Sequence, residues 1–83
     1  MPLMVKVLAF AGARDVVGAP ELDFELSEAC SAAALMDRIC ARFPGLAPHR
    51  KSLRMAINGS YAADRELVRP GDEVALIPPV AGG

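Results

Sequence analysis

The side chains of this sequence offer little chemistry, and its last residues offer more. The chain ends Pro78-Pro79-Val80-Ala81-Gly82-Gly83. Two prolines hold such a segment extended, in polyproline or β geometry, with few conformations left to lose on ordering. Two glycines after them make a tip without side chains, thin enough for a narrow channel. That pattern suits a chain whose reactive group is its own C-terminal carboxylate, at Gly83, with Pro79, Val80, Ala81 and Gly82 as the part that inserts. Terminal segments are often small and frayed, so the motif draws its weight from the elements that precede it.

Other sources of chemistry are poor. Cys30 and Cys40 flank a segment that reads as helix, and ten helical positions would separate their Cα atoms by roughly 15 Å, whereas a disulfide needs less than ~7 Å. There is one histidine, His49, and no Cys-x-x-Cys, so metal-ligand spacing is absent. These features suggest a reduced cytoplasmic protein with Cys40 packed as a small hydrophobe. The net charge is −1, with no basic excess to indicate nucleic acid or an acidic membrane surface. No run approaches the ~20 apolar residues of a membrane span, and no signal peptide is visible. Met1-Pro2-Leu3 reads as a short leader before the first strand. The short basic group at His49, Arg50 and Lys51 reads as a solvated loop, and His49 receives no catalytic role. A length of 83 residues makes one domain, and 53% hydrophobic residues exceeds what so small a core needs, which points to an apolar surface for a partner.

The elements that must position the tail follow from periodicity. Residues 4–10 are rich in strand formers, and 11–20, with two glycines and a proline, read as a loop. Residues 21–26 alternate, with Glu21, Asp23 and Glu25 opposite Leu22, Phe24 and Leu26, as in a half-buried antiparallel strand. A hairpin of these two strands is the economical pairing. Ser31 can cap a helix over 32–43 whose apolar stripe is Leu35, Met36, Ile39, Cys40 and Phe43. Pro44 and Gly45 end it, and a loop follows. Residues 53–58 make a third strand, Asn58-Gly59 is a hairpin turn, and 60–62 return. Residues 63–69 cross over to the turn Pro70-Gly71-Asp72, and 73–78 form the last strand. One helix with four or five strands in the order ββαββ has one compact solution, a mixed sheet wrapped over the helix with its first and last strands parallel. This α+β architecture is the β-grasp, or ubiquitin-like, fold, with residues 1–77 as the domain and 78–83 as its tail.

Alternation also predicts what is left outside. With Val5, Val7 and Ala9 facing the helix, Lys6, Leu8 and Phe10 face out. Glu73, Ala75 and Ile77 face out from the last strand, and Arg54, Ala56 and Asn58 from the third. The expected outer face is mixed at one end, with Lys6, Arg54 and Glu73. It is apolar at the other, with Leu8, Phe10, Ala75 and Ile77, where the tail departs. An apolar patch beside such a tail reads as a docking face.

These residues carry a resemblance. Val5-Lys6-Val7-Leu8-Ala9-Phe10-Ala11, then Arg14-Asp15 and Gly18, then Ala56-Ile57-Asn58-Gly59, and above all the run Gly71-Asp72-Glu73-Val74-Ala75-Leu76-Ile77-Pro78-Pro79-Val80-Ala81-Gly82-Gly83 resemble the small, sulfur-carrying subunit of molybdopterin synthase, the MoaD family. The likeness spans residues 4–83 and departs at Ala81, where the family commonly has Ser or Thr. It implies that an E1-like adenylyltransferase of the MoeB type uses ATP to adenylate the Gly83 carboxylate. Sulfur then replaces AMP to give a thiocarboxylate, and the tail enters a large, MoaE-like subunit to deliver sulfur to cyclic pyranopterin monophosphate in a heterotetramer. The chain itself would bind no cofactor and no metal, and on its own would be no enzyme. Phe10 and Ile77, with Leu8, match the family's hydrophobic subunit contact, and Arg14 matches an early arginine that would help dock the activating enzyme. The same fold and tail would also serve a carrier for thiamin or tRNA thiolation, a tungsten-cofactor variant, or a ubiquitin-like modifier joined to lysines. The Pro-Pro-Val step before the glycines favours the molybdopterin branch.

Overall fold

The computed structural model describes residues 3–78. Strand β1 (Met4–Ala9) buries Val5, Val7 and Ala9 and leaves Met4 and Lys6 exposed, as strict alternation requires. Helix α1 (Ala11–Val17) leads to β2 (Glu21–Glu25), which pairs antiparallel with β1 from Met4↔Glu25 to Leu8↔Glu21. The short β3 (Cys30–Ser31) runs into the main helix, α2 (Ala32–Arg42). A 3₁₀ helix (Pro44–His49) follows. Then come β4 (Arg54–Ile57), β5 (Ser60–Tyr61), β6 (Leu67–Val68) and β7 (Glu73–Ile77). The main sheet has the order β2-β1-β7-β4-β5, with β7 parallel to β1 and antiparallel to β4. A mixed five-stranded sheet on one main helix, with its first and last long strands side by side, is the β-grasp arrangement.

The core lies between the inner face of this sheet and α2. Val5, Val7, Val74, Leu76 and Met55 come from the strands, and Leu35, Met36, Ile39 and Cys40 from the expected helical stripe. Ser31 caps α2, its Oγ accepting the Ala34 N–H at 3.1 Å. The two helical donors before it are satisfied by the chain that crosses over them, Ala32 N–H donating to the Glu66 carbonyl and Ala33 N–H to that of Asp64. Cys30 is half-buried and Cys40 buried, and both are free thiols. Burial, ahead of the nearby charges, pushes the Cys40 thiol above its ordinary pKa, in keeping with an inert core residue. Among the described residues no helix is long and apolar enough to cross a membrane.

Several segments differ from their sequence pattern. Residues 11–17, expected as loop, form α1. Its Gly12 disfavours helix, but Ala13 is buried to 2% exposure beneath it, and Gly18 closes it at φ 86° with its N–H donating to the Arg14 carbonyl at 2.8 Å. Residues 44–49 are likewise helical, held by the fully buried Leu46. Arg50 is no solvated loop cation: its Nε donates to Asp37 Oδ1 at 2.9 Å and its guanidinium reaches the Ala33 carbonyl. The crossover at 63–69 holds β6, which pairs with β3 in a second, two-stranded sheet too short to leave a periodic signal. Leu3, assigned to the leader, accepts the Leu26 N–H at 2.9 Å and so extends the β1–β2 ladder.

Candidate functional site

Because β1 and β7 are parallel neighbours, their C-terminal ends emerge together at one end of the sheet. Leu8 pairs with Ala75 and Ala9 with Leu76, and Phe10 and Ile77 each stand one residue beyond this ladder. Phe10 is 49% exposed and Ile77 half-buried. On the outer face, one row crosses the whole sheet as Glu21, Leu8, Ala75, Ala56 and Tyr61. Ala75 and Ala56 make its centre a shallow, small-residue floor. Tyr61 rises at the far edge, 67% exposed.

Phe10 also begins α1. Its backbone is extended (φ −122°, ψ 152°) and its carbonyl accepts the N–H groups of Ala13 and Arg14 at 3.1 and 3.3 Å. The chain therefore turns sharply at the end of β1, and Arg14 comes back beside the strand it left. Leu8, Phe10 and Arg14 line one cavity of about 340 Å³ with Pro20 and Glu21. Three expected contact residues are thus brought together, although the segment that carries Arg14 had been read as loop. Ile77 borders a different groove, of about 670 Å³, shared with Arg50, Lys51, Arg54, Tyr61 and Pro78. Pro79, Val80, Ala81, Gly82 and Gly83 lie outside the described residues.

One assignment on this face is corrected. Arg54 was expected at the mixed end with Lys6 and Glu73, but it pairs with Ile77, at the end where the chain leaves β7. The reason is direction: β4 runs antiparallel to β7, so its first residue meets the last residue of β7. The mixed end instead holds Lys6 between Asp23 and Glu73. The tail's exit is therefore flanked by a cation and by Tyr61 as well as by apolar groups. Neither had been assigned to the contact, and the signal that locates them is the Asn58-Gly59 turn. It folds as a tight hairpin with both residues at positive φ (50° and 89°) and places Tyr61 across from Ala56.

A polar clamp at the opposite end holds this register. Asn58 Oδ1 accepts the Glu73 N–H at 3.0 Å, its Nδ2 donates to Asp72 Oδ1 at 3.2 Å, and Asp72 Oδ2 accepts the Arg69 N–H at 2.9 Å. The Arg69 N–H, then the Asn58 amide, favour the ionised form and hold the Asp72 carboxyl below its ordinary range. A one-residue slip of β7 would turn Ile77 and Ala75 to the core face, so the clamp protects the outer surface as well as the fold.

The fold agrees with comparisons to known proteins. The model of the ThiS family matches residues 7–83. The molybdopterin synthase sulfur carrier subunit of Chlamydomonas reinhardtii is 40% identical over 98% of this chain and 100% of its own length. The chain belongs to the ThiS family, in its molybdopterin synthase sulfur carrier branch. Among solved structures, a putative molybdopterin converting factor subunit 1 from Pyrococcus furiosus superposes with a TM-score of 0.82 at 29% identity, covering 94% of this chain and 99% of that one. The complex of subunits 1 and 2 of molybdopterin-converting factor from Helicobacter pylori shares the fold, with a TM-score of 0.65 at 21% identity over 98% and 100% of the two chains.

Proposed function

We propose that this chain is the sulfur carrier of a molybdopterin synthase and that Gly83 bears the sulfur. One observation carries the reading: the parallel pairing of β1 with β7 places Leu8, Phe10 and Ile77 at the end of the sheet from which the Pro-Pro-Val-Ala-Gly-Gly segment continues. A contact surface and a deliverable end are then parts of one feature. The sulfur-carrier relatives that match over nearly the whole chain support the assignment.

The chemistry is that of an unreactive carboxylate made reactive. An E1-like, MoeB-type enzyme adenylates the Gly83 carboxylate with ATP. The acyl-adenylate then accepts sulfur at its carbonyl carbon, and AMP leaves. The resulting thiocarboxylate is a soft anion near neutral pH, by the logic that makes thiolate the reactive form of cysteine. The tail of six residues from Pro78 reaches roughly 20 Å when extended, enough to enter a buried pocket. There it gives its sulfur to cyclic pyranopterin monophosphate, and two deliveries build a dithiolene. Gly82 lets the backbone pass a constriction that a β-carbon would block, while Pro79, Val80 and Ala81 set the depth of insertion. The carrier supplies the nucleophile, and a large, MoaE-like subunit, the counterpart of subunit 2 in the Helicobacter pylori complex, supplies acid–base and anion-binding groups. Leu8, Phe10 and Ile77 form the contact with that subunit, and Arg14, at the rim of the same cavity as Phe10, docks the activating enzyme. The free thiols of Cys30 and Cys40 suit a reducing, cytoplasmic setting for this reaction.

The test is intact-mass spectrometry after incubation with the activating enzyme, ATP and a sulfide source. The expected result is a mass gain equal to the difference between sulfur and oxygen, confined to the peptide ending at Gly83. An unchanged mass under conditions where an authentic carrier is converted removes the proposal.

A further inference from the structure

Strand β2 is the long free edge of the main sheet; the edge strand on the other side, β5, has two residues. The β1–β2 ladder fixes which backbone groups of β2 are already used. Ala9 N–H donates to the Pro20 carbonyl and Leu26 N–H to that of Leu3, both at 2.9 Å. In this register Leu22 and Phe24 turn their N–H and C=O groups toward β1, while Glu21, Asp23 and Glu25 turn theirs away from the sheet. Among the described residues, the Glu25 carbonyl alone of these outward groups has a protein partner, accepting from Arg38 Nη2 at 3.4 Å. The Arg38 guanidinium also lies 5.7 Å from the centre of the Phe24 ring. It therefore closes the Glu25 end of the edge and leaves the stretch around Asp23 open.

The side chains of this edge are sorted by face. Leu22 and Phe24 pack against the core yet stay half-buried, so the rim of the core along β2 is not closed. Glu21, Asp23 and Glu25 are exposed on the outer face, and Lys6, opposite Asp23, is the one cation in the adjoining ladder. A second copy fits this edge poorly. Antiparallel pairing about Asp23 would set Asp23 against Asp23 and Glu21 against Glu25, and like charges directly opposite destabilise a sheet. The same acidic row attracts the opposite sign. We infer that β2 is a strand-addition site, and that its occupant is an extended segment of a partner protein in which basic residues alternate with apolar ones. The segment adds antiparallel to β2. Its Lys or Arg side chains stand beside Glu21 and Asp23 on the outer face, and its apolar side chains extend Leu22 and Phe24 over the core rim. Backbone pairing supplies the affinity, and the alternation supplies the specificity. The acidic row thus has two effects, opposing self-association at an open edge and selecting a basic strand. None of this depends on sulfur chemistry at Gly83.

The experiment titrates the full-length chain at pH 7 and low salt with an acetylated, amidated heptapeptide of alternating Lys and Val, followed by ¹H–¹⁵N spectra. The expected changes centre on Glu21, Asp23 and Glu25, and the Asp23 amide exchanges with solvent several-fold more slowly. The variant Asp23→Lys, which turns an attractive cross-strand pair into a repulsive one, weakens binding by about fivefold or more. A second probe is the same peptide methylated on its lysine backbone nitrogens. It keeps every charge but cannot donate to the carbonyls of β2, and it is expected not to bind, a result that does not require the variant to fold. Equal binding by the methylated peptide, by an alternating Glu–Val peptide, or by a folded Asp23→Lys chain overturns the inference. So does the absence of any change at millimolar peptide, or changes centred on Phe10 and Ile77 or on Asp64 and Glu66. A peptide-free dimer in sedimentation whose contact protects the Asp23 amide makes a second copy the occupant, and overturns it too.

Discussion

Asn58 and Asp72, fourteen residues apart in sequence, are joined by one side-chain hydrogen bond of 3.2 Å that ties the β4–β5 hairpin to the turn entering β7. The bond holds the two strands whose opposite ends carry Arg54 and Ile77, so it acts on the outer face from the far side of the sheet.

Removal of this clamp with Asp72→Ala costs roughly 1–2 kcal/mol at neutral pH, the size expected for two partly solvated hydrogen bonds to a carboxylate. The cost depends on pH in a fixed direction. A carboxyl whose folded pKa lies below its unfolded value binds its proton more weakly when folded. Its contribution is therefore complete above the ordinary value of 3.8 and is lost as pH falls toward and through the lowered one. Urea denaturation at pH 7 and at pH 3 checks this: the difference in stability between wild type and variant shrinks at the lower pH.

Gly45 and Val16 mark a second tight place. A β-carbon on Gly45 would lie 2.8 Å from a γ-carbon of Val16, where the 3₁₀ helix passes α1. Val16 is stiff at χ1 on a helix, so Gly45→Ala forces it off its rotamer or displaces α1, at a cost of about 0.5–1.5 kcal/mol. Val16→Ala removes the obstructing atoms. The double variant is therefore more stable than the sum of the two single changes predicts, as a double-mutant cycle by thermal denaturation would show.

Much of this architecture was legible in the residues. The β1 and β2 patterns, the α2 stripe with its Ser31 cap and the Asn58-Gly59 turn all describe elements with a repeating period or a specific turn chemistry. Phe10 and Leu8 were correctly turned outward for the same reason. What escaped lacks such a signal. Helix α1 has Gly12 within it and is held by one buried alanine and by tertiary contact. Strands β3 and β6 are two residues each, a single period with nothing to repeat. Arg54 was put at the wrong end because alternation specifies a face and says nothing of direction, and direction follows only once β4 is paired with β7. Arg14 joined Phe10 for a related reason, the turn at the end of β1 that local composition concealed.

Phe10→Asp separates docking from folding. The ring is 49% exposed and absent from the buried core, so the domain keeps its cooperative unfolding transition. If the proposed contact with a large subunit includes Phe10, a charge in place of its aromatic ring weakens binding by at least about tenfold, the lower bound for an interface anchor. Calorimetric titration of the variant into the large subunit measures this directly. Unchanged affinity in a folded variant would move the contact elsewhere on the sheet.

The last prediction concerns the chain end. If reactivity belongs to one carboxylate at one distance from Pro78, then both a lost residue and an added one should be fatal to it. Deletion of Gly83 leaves a reactive-type carboxylate on Gly82 but withdraws it by about 3.5 Å, farther than a near-attack geometry tolerates. An alanine added after Gly83 leaves a carboxylate too, but carries it forward by the same distance and adds a β-carbon at the thinnest point. Neither change touches the core or any hydrogen bond among residues 3–78, so thermal stability stays at the wild-type value. Sulfur transfer to the pterin, followed by formation of the dithiolene product with purified large subunit, falls to background in both. Transfer that survives either change, with the altered end confirmed by mass, would mean that the sulfur travels on some other group.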